Sequence, residues 1–298
     1  MRLYRDFTDQ AALDAAYDPS RTAEDAAGMM AAWQARSAAT VAEGGGRLGV
    51  RYGPTLAEYL DIFPAGPAAR PTAGPAPVHV FVHGGYWRRF SARDFAWVAE
   101  PVGARGVTAV IVNYALCPAV SIVEIVRQIR AALAWCHQHA ASFGGDPGRL
   151  TLSGHSAGGH LVAMALATDW SGQYGLPDGL VERALALSGL FDLRPFPFTY
   201  LQPALQLTTA EVLAASPIDL APTAPTPLTV AVGALESDEF RRQSRDFVAA
   251  WRQHEAPCAY QELAGADHFT ALDRLFAPES PLLDTLLRTP GVGDRDPL

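Results

Sequence analysis

Two short stretches carry residue types suited to acyl-transfer chemistry: "GHSAG" at residues 154–158 and "HGGYW" at residues 83–87. A serine hydroxyl attacks a carbonyl only when a base takes its proton. The attack places negative charge on the carbonyl oxygen, and preorganised backbone N–H groups must meet that charge. The G-x-S-x-G pattern alone has little specificity, so its surroundings decide. Here it lies between "RLTLS", which reads as a strand, and "AGGHLVAMALA", which reads as a helix. That placement is the one a nucleophile elbow requires, with small residues two positions either side of the serine. Gly154 and Gly158 satisfy this demand, and Ser156 is the candidate nucleophile. The competing reading is a passive serine in a glycine-rich strand–helix turn. A dinucleotide-binding turn would need G-x-G-x-x-G, which this spacing does not supply.

The base follows by elimination among eight histidines. In strand–turn–helix hydrolases of this type the chain order is nucleophile, acid, base. His79, His83, His137 and His139 precede the serine, and His155 and His160 flank it. His254 falls near the end of a helix, whereas His268, in "GADHF", directly follows the last expected strand and is the candidate base. The acid should follow the strand before that one, where the chain reads "GALESDEF". Glu236 lies nearest the strand end and is preferred. Asp238 is the alternative, and Glu239 fits an acidic helix N-terminus. The early strand "VFVHGGYW" ends in glycines that let backbone approach a substrate oxygen. Gly85 and Tyr86 are therefore expected to join Ala157, the residue after the nucleophile, in an oxyanion hole. His83 is expected to prop this loop by hydrogen bonding. Trp87 is expected to wall the pocket, with ordinary core packing as the competing reading.

The elements that must hold these residues are legible as an alternation. The first forty-five residues read as Ala-rich helices lying outside the core. "RLGVRYG" and "AEYLDIFPA" read as an antiparallel strand pair. Residues 66–77, rich in Pro, Ala and Gly, read as a surface loop. "APVHVFV", "VTAVIV", "RLTLS", "VERALALSGL", "TPLTVAVGAL" and "CAYQELAG" are then strands separated by helices. In "SIVEIVRQIRAALAWCHQ" a capping box, Ser121 and Glu124, opens a helix. Its apolar stripe is Ile122, Ile125, Val126, Ile129, Leu133 and Cys136. Such an order implies an α/β fold: one domain over residues 1–298, with a mostly parallel central sheet and helices on both faces. Residues 1–45 form an N-terminal helical extension and residues 190–215 a pocket or cap insertion.

Composition narrows the partners. With 49% hydrophobic and 18% charged residues the chain can bury a large core. A net charge of −8 argues against nucleic acid, which needs a basic face. The N-terminus shows no apolar targeting segment and no run is long enough to span a membrane, so a cytoplasmic protein is expected. Three cysteines form no disulfide framework, and no metal-binding spacing is present. No metal or cofactor is expected. The sequence sets no oligomeric state, and a homodimer stays open.

"HGGYW", "VNYALCP", "GHSAGGH", "ESDEFRRQS" and "DHF" occur in that order. Together they resemble the kynurenine formamidase (arylformamidase) branch of the α/β-hydrolase superfamily, over roughly residues 45–290 and in outline over the N-terminal helices. The resemblance implies Ser156 as nucleophile, His268 as base, and an oxyanion hole from Gly85, Tyr86 and Ala157. Glu236 falls at the acid position, where many members carry aspartate. It implies a small-molecule aromatic amide or ester as substrate, with N-formyl-L-kynurenine cleaved to kynurenine and formate. A general carboxylesterase of short-chain esters is the alternative, and a non-catalytic ligand-binding homologue is the alternative of another class. The segment "LFDLRPFPFTYLQPALQL" should supply pocket residues, among them Phe191 and Tyr200. Arg194 is either a carboxylate ligand or a solvated surface residue.

Overall fold

A computed structural model of the protein describes residues 2–66 and 74–288. Most of the Pro-rich stretch read as a surface loop lies outside the described residues. Eight strands form one sheet: β1 (Arg47–Arg51), β2 (Tyr59–Phe63), β3 (Ala76–Val82), β4 (Thr108–Val112), β5 (Gly145–His155), β6 (Arg183–Leu187), β7 (Leu228–Gly233) and β8 (Cys258–Leu263). Their spatial order is β1-β2-β4-β3-β5-β6-β7-β8. β1 and β2 pair antiparallel, as does β2 with β4, and every other neighbour is parallel.

Every residue of β3 and β4 is buried, as strands covered on both faces must be. The side-chain alternation splits the core into two layers. Val78, Val80, Val82, Val110 and Leu152 join one, and Phe81, Ala109, Ile111 and Leu185 the other. Helices α1 (Gln10–Ala16), α2 (Ala26–Glu43) and α3 (Ala99–Gly103) precede α4 (Ile122–His139), whose expected stripe is buried from Ile122 to Cys136. Ser121 caps α4 by accepting from the Glu124 amide at 3.2 Å. The Glu124 carboxylate does not complete the capping box but binds Arg127 and Gln128 instead. The remaining helices are α5 (Ala157–Leu166), α6 (Trp170–Tyr174), α7 (Gln202–Leu205), α8 (Thr209–Ala214), α9 (Asp238–Arg252), α10 (Thr270–Leu275) and α11 (Pro281–Leu287). Among the described residues no helix is long and apolar enough to cross a membrane.

The N-terminal helices differ from expectation. They do not lie outside the core: Leu13 and Tyr17 join one layer, and Trp33 of α2 joins the other. The segment thus passes from one face of the sheet to the other. Leu13, Tyr17 and Trp33 are the large side chains it buries most fully, with Phe7, Met29 and Met30 packed beside them.

β4 lies on one side of β3 and β5 on the other, so the strand order reverses at β3. The chain leaves the carboxyl ends of β3 and β5 in opposite directions and opens a crevice between them, where ligands bind in open α/β sheets. "HGGYW" follows β3 and "HSAG" ends β5, so both motifs stand at that crevice.

Candidate active site

Ser156 occupies a sharp turn between β5 and α5, with φ +58° and ψ −120°. A non-glycine residue in this region is strained by about 1–3 kcal/mol and persists only where its surroundings impose it. They do so here. The Ser156 amide donates to the Leu187 carbonyl at 2.8 Å, and the His160 amide donates to the Ser156 carbonyl at 3.2 Å. A Cβ on Gly158 would lie 2.0 Å from the Val82 carbonyl oxygen, and one on Gly154 2.3 Å from that of Gly158. Both glycines are required for close backbone approach rather than for an unusual φ.

His268 follows β8 on a loop tied at both ends. Asp267 Oδ1 accepts from the Phe269 and Thr270 amides, each at 2.8 Å. His155 Nε2 lies 2.9 Å from the His268 carbonyl, the two rings pack with centroids 4.5 Å apart, and Phe240 meets His268 edge-on. Burial, followed by the proximity of His268, holds the His155 pKa well below the usual value, so this ring is neutral and donates to the carbonyl. That bond fixes the backbone of His268 and leaves His155 as a structural ring.

Glu236 Oε2 lies 2.7 Å from His268 Nδ1. Glu236 Oε1 accepts from the Gly233 amide at 2.7 Å and the Ser188 hydroxyl at 2.5 Å. This buried carboxylate is therefore fully solvated by protein donors, and it fixes the tautomer that carries hydrogen on Nδ1. Nε2 is left to accept. Asp238 stands outside: its side chain is 90% exposed, paired with Arg241 at the start of α9. The two candidate acids are thus separated by geometry.

Ser156 and His268 open onto one cavity of about 130 Å³, with Gly84, Gly85 and Tyr86 on its wall. Gly85, Tyr86 and Trp87 have φ of +105°, +52° and +56°, a run of left-handed residues that folds this loop over the serine. Among the described residues no carbonyl or side chain accepts from the Gly85 or Tyr86 amides. A Cβ on Gly84 would lie 3.0 Å from that of Ser156, so the loop must be glycine where it passes the serine. The Tyr86 hydroxyl donates to the Tyr17 carbonyl, fastening the loop to the N-terminal segment. Ala157 is buried behind the serine at the first position of α5, where its amide has no partner within the helix. His83 props the loop as expected, stacked between Phe95 and Tyr114, with the Tyr114 hydroxyl on its carbonyl at 2.8 Å.

Of the expected pocket residues, Tyr200 lines the cavity and two do not. Trp87 is fully buried: its indole donates to His160 Nδ1 at 3.2 Å and its ring meets Phe196 edge-on. Phe191 is also fully buried, stacked on Phe247 with centroids 4.0 Å apart. Arg194 binds Asp192 and Asp219 away from the cavity, as a surface residue. The cavity instead takes Asp18, Trp33 and Arg88. Two of these come from the N-terminal extension, for which no motif signals a role. Arg88 directly follows "HGGYW", and its place in that loop is the available signal.

The BD-FAE family model matches residues 60–174, from β2 through the elbow to α6. Kynurenine formamidase from Salmo salar is 32% identical over 250 residues, 82% of each chain. The chain belongs to the kynurenine formamidase family. It is an α/β-hydrolase-type enzyme. Within that superfamily this formamidase-family chain is also 31% identical to esterase LipQ of Mycobacterium tuberculosis, over 74% of its own length and 56% of LipQ. Among solved structures, a Silicibacter sp. tm1040 protein described as a candidate thioesterase superposes with a TM-score of 0.79 at 30% identity, covering 93% of this chain and 99% of that one. The match to it includes nearly the whole formamidase-family chain.

Proposed function

We propose that Ser156, His268 and Glu236 form the catalytic triad of an arylformamidase, with N-formyl-L-kynurenine as substrate. The observation that carries this reading is that His268, 2.7 Å from Glu236, opens with Ser156 onto one small cavity. Ser156 Oγ attacks the formyl carbon while His268 Nε2 takes its proton. The oxyanion is met by the amides of Gly85, Tyr86 and Ala157. The tetrahedral adduct collapses as the proton moves from Nε2 to the aniline nitrogen, breaking the C–N bond and leaving a formyl ester on Ser156. Water, deprotonated by the same imidazole, then releases formate and restores the hydroxyl. The smallest acyl group suits a cavity of this size. An aniline is also a better leaving group than an alkyl amine, so a formanilide needs less help than a peptide bond.

The likeness to esterase LipQ supports a second reading, a short-chain carboxylesterase using the same residues. Pocket shape, not the triad, separates the two. Measuring kcat/KM on N-formyl-L-kynurenine and on p-nitrophenyl acetate and butyrate distinguishes them. The formamide is expected to be the better substrate, and Ser156→Ala to lower kcat by roughly 10⁴-fold or more on either. Ester turnover far above formamide turnover would reject the formamidase reading. Failure of a fluorophosphonate to label Ser156 would reject both. A reducing, cytoplasmic compartment fits three buried, unpaired cysteines.

A further inference from the structure

Two of the three charges on the cavity wall that take no part in the hydrolytic machinery are half-buried. Arg88 and Asp18 both line it, beside Tyr200. Arg88 is half-buried; its Nε is buried with no hydrogen-bond partner, and its guanidinium carbon lies 5.9 Å from the Tyr200 ring centroid. No carboxylate among the described residues pairs with it. Two arginines away from the cavity behave differently: Arg194 is held by Asp192 and Asp219, and Arg242 by Glu239 and Asp246. Asp18 Oδ1 accepts from the amide and hydroxyl of Ser20 at 3.0 and 2.6 Å, while no donor among the described residues reaches Oδ2. The Tyr200 phenol lies in the field of both groups. Burial, then Asp18, push its pKa up to about 12, and Arg88 opposes them. Two opposite charges thus face one small cavity without pairing to each other, each withdrawn in part from water.

A charge so held is costly until a ligand supplies its partner. A simple acid would leave Asp18 unmatched, and a simple amine would leave Arg88 unmatched. We propose that Arg88 and Asp18 form a subsite for a zwitterionic α-amino-acid head, Arg88 taking the carboxylate and Asp18 the ammonium. The subsite makes the cavity selective for aryl substrates that carry an amino-acid side chain. This rests on the reading of the cavity as the hydrolytic site. Arg89, exposed on the same wall, adds positive potential at the mouth without being the anchor. Tyr200 is the wall between the two charges.

The test reads specificity ratios. Wild type, Arg88→Gln, Arg88→Lys, Asp18→Asn and, outside the cavity, Arg194→Gln are compared on N-formyl-L-kynurenine and on its analogues lacking either the carboxylate or the amine. Arg88→Gln is expected to lower kcat/KM for the full substrate roughly 10- to 100-fold, mainly through KM, and to abolish its preference over the carboxylate-free analogue. Arg88→Lys recovers part of that preference, because the charge returns without the bidentate fork. Asp18→Asn abolishes the preference over the amine-free analogue, and Arg194→Gln keeps both preferences. Each ratio is read within one variant, so a lower yield of folded protein cancels. A wild type indifferent to both deletions, or variants that keep wild-type ratios, would overturn the proposal. The same three side chains on acetate esters of the corresponding phenols separate the two possible failures. Inert formamides beside active esters would reject the formamidase reading, and the ratios in the ester series would still decide the subsite.

Discussion

Glu236 and Asp238 are two residues apart, yet one is buried with both oxygens hydrogen-bonded and the other points into solvent. The difference yields a sharp expectation. Glu236→Gln keeps the side chain's shape and its bonds from Gly233 and Ser188. Its amide nitrogen, however, faces His268 Nδ1 as a donor. The imidazole must then carry its hydrogen on Nε2, where it cannot accept from Ser156. A kcat loss of about 10⁴-fold is expected, as for a wrong tautomer in any such triad. Asp238→Asn removes one exposed ion pair and should leave kcat within about twofold. Measuring kcat for both variants checks this, and a large loss at Asp238 with little at Glu236 would reject the assignment. Chain order pointed to Ser156, to His268 and to the loop that carries Glu236 and Asp238, because the elements that carry them follow a fixed sequence in this architecture. Trp87 and Phe191 were not legible in that way. Each sits in a loop whose turn decides whether an aromatic ring faces cavity or core. The left-handed pair at Tyr86 and Trp87 leaves Tyr86 on the cavity and buries Trp87 against His160.

The elbow works as an element because β3 and α5 nearly touch. Gly158 lies against the main chain of the central strand, where no flexible side chain can give way. Gly158→Ala is expected to cost about 3 kcal/mol or more and to lower the yield of active enzyme, since a carbonyl of β3 would have to move. Gly179, with open space at its Cβ position, is the matched control, and its alanine variant should change stability by less than about 0.5 kcal/mol. Urea midpoints of the two variants measure the contrast, and equal midpoints would show that the elbow tolerates a side chain. Strands and amphipathic helices were legible because burial on one or two faces leaves a period in the sequence. The docking of α2 left a stripe as well, Ala26, Met29, Met30, Trp33, Ser37 and Val41, but alanines on every side of the helix dilute it. Trp33 bridges to the cavity, donating to Asp273 at 2.9 Å and packing on Phe95, Phe269 and His155. Trp33→Ala should cost about 3–5 kcal/mol and raise KM together, because the same ring fills the core and lines the cavity. Thermal unfolding and kinetics on one preparation test the coupling, and a variant with lowered stability and unaltered KM would break it.

Across the whole molecule, the two core layers and the helices that cover them enclose four neutral histidines. Burial lowers His79 to about 3, and His83 and His160 to about 4, while burial and then His268 hold His155 well below its usual value. Each has a structural task as a neutral ring. His79 spans Thr151 and Ser153 within the sheet, His83 props the loop after β3, His155 holds the backbone of His268, and His160 joins Trp87 to Ala215. In the unfolded chain the same residues titrate near pH 6.5. Between that pH and the folded values the unfolded state therefore binds more protons than the folded one, so stability falls as pH falls. The stabilisation is complete above about pH 7 and is lost progressively from about pH 6.5 toward 4, by up to ~1.4 kcal/mol per pH unit for each histidine. Urea midpoints at pH 7, 6 and 5 should drop steadily, before most carboxylates titrate. His160→Gln, which retains an acceptor and a donor without a titrating ring, should lower stability at pH 7 and give a shallower slope below it. A midpoint that stays level from pH 7 to 5, or a His160→Gln slope equal to that of wild type, would mean that these rings are protonated in the folded state and that the hydrogen bonds assigned to them as neutral groups are wrong.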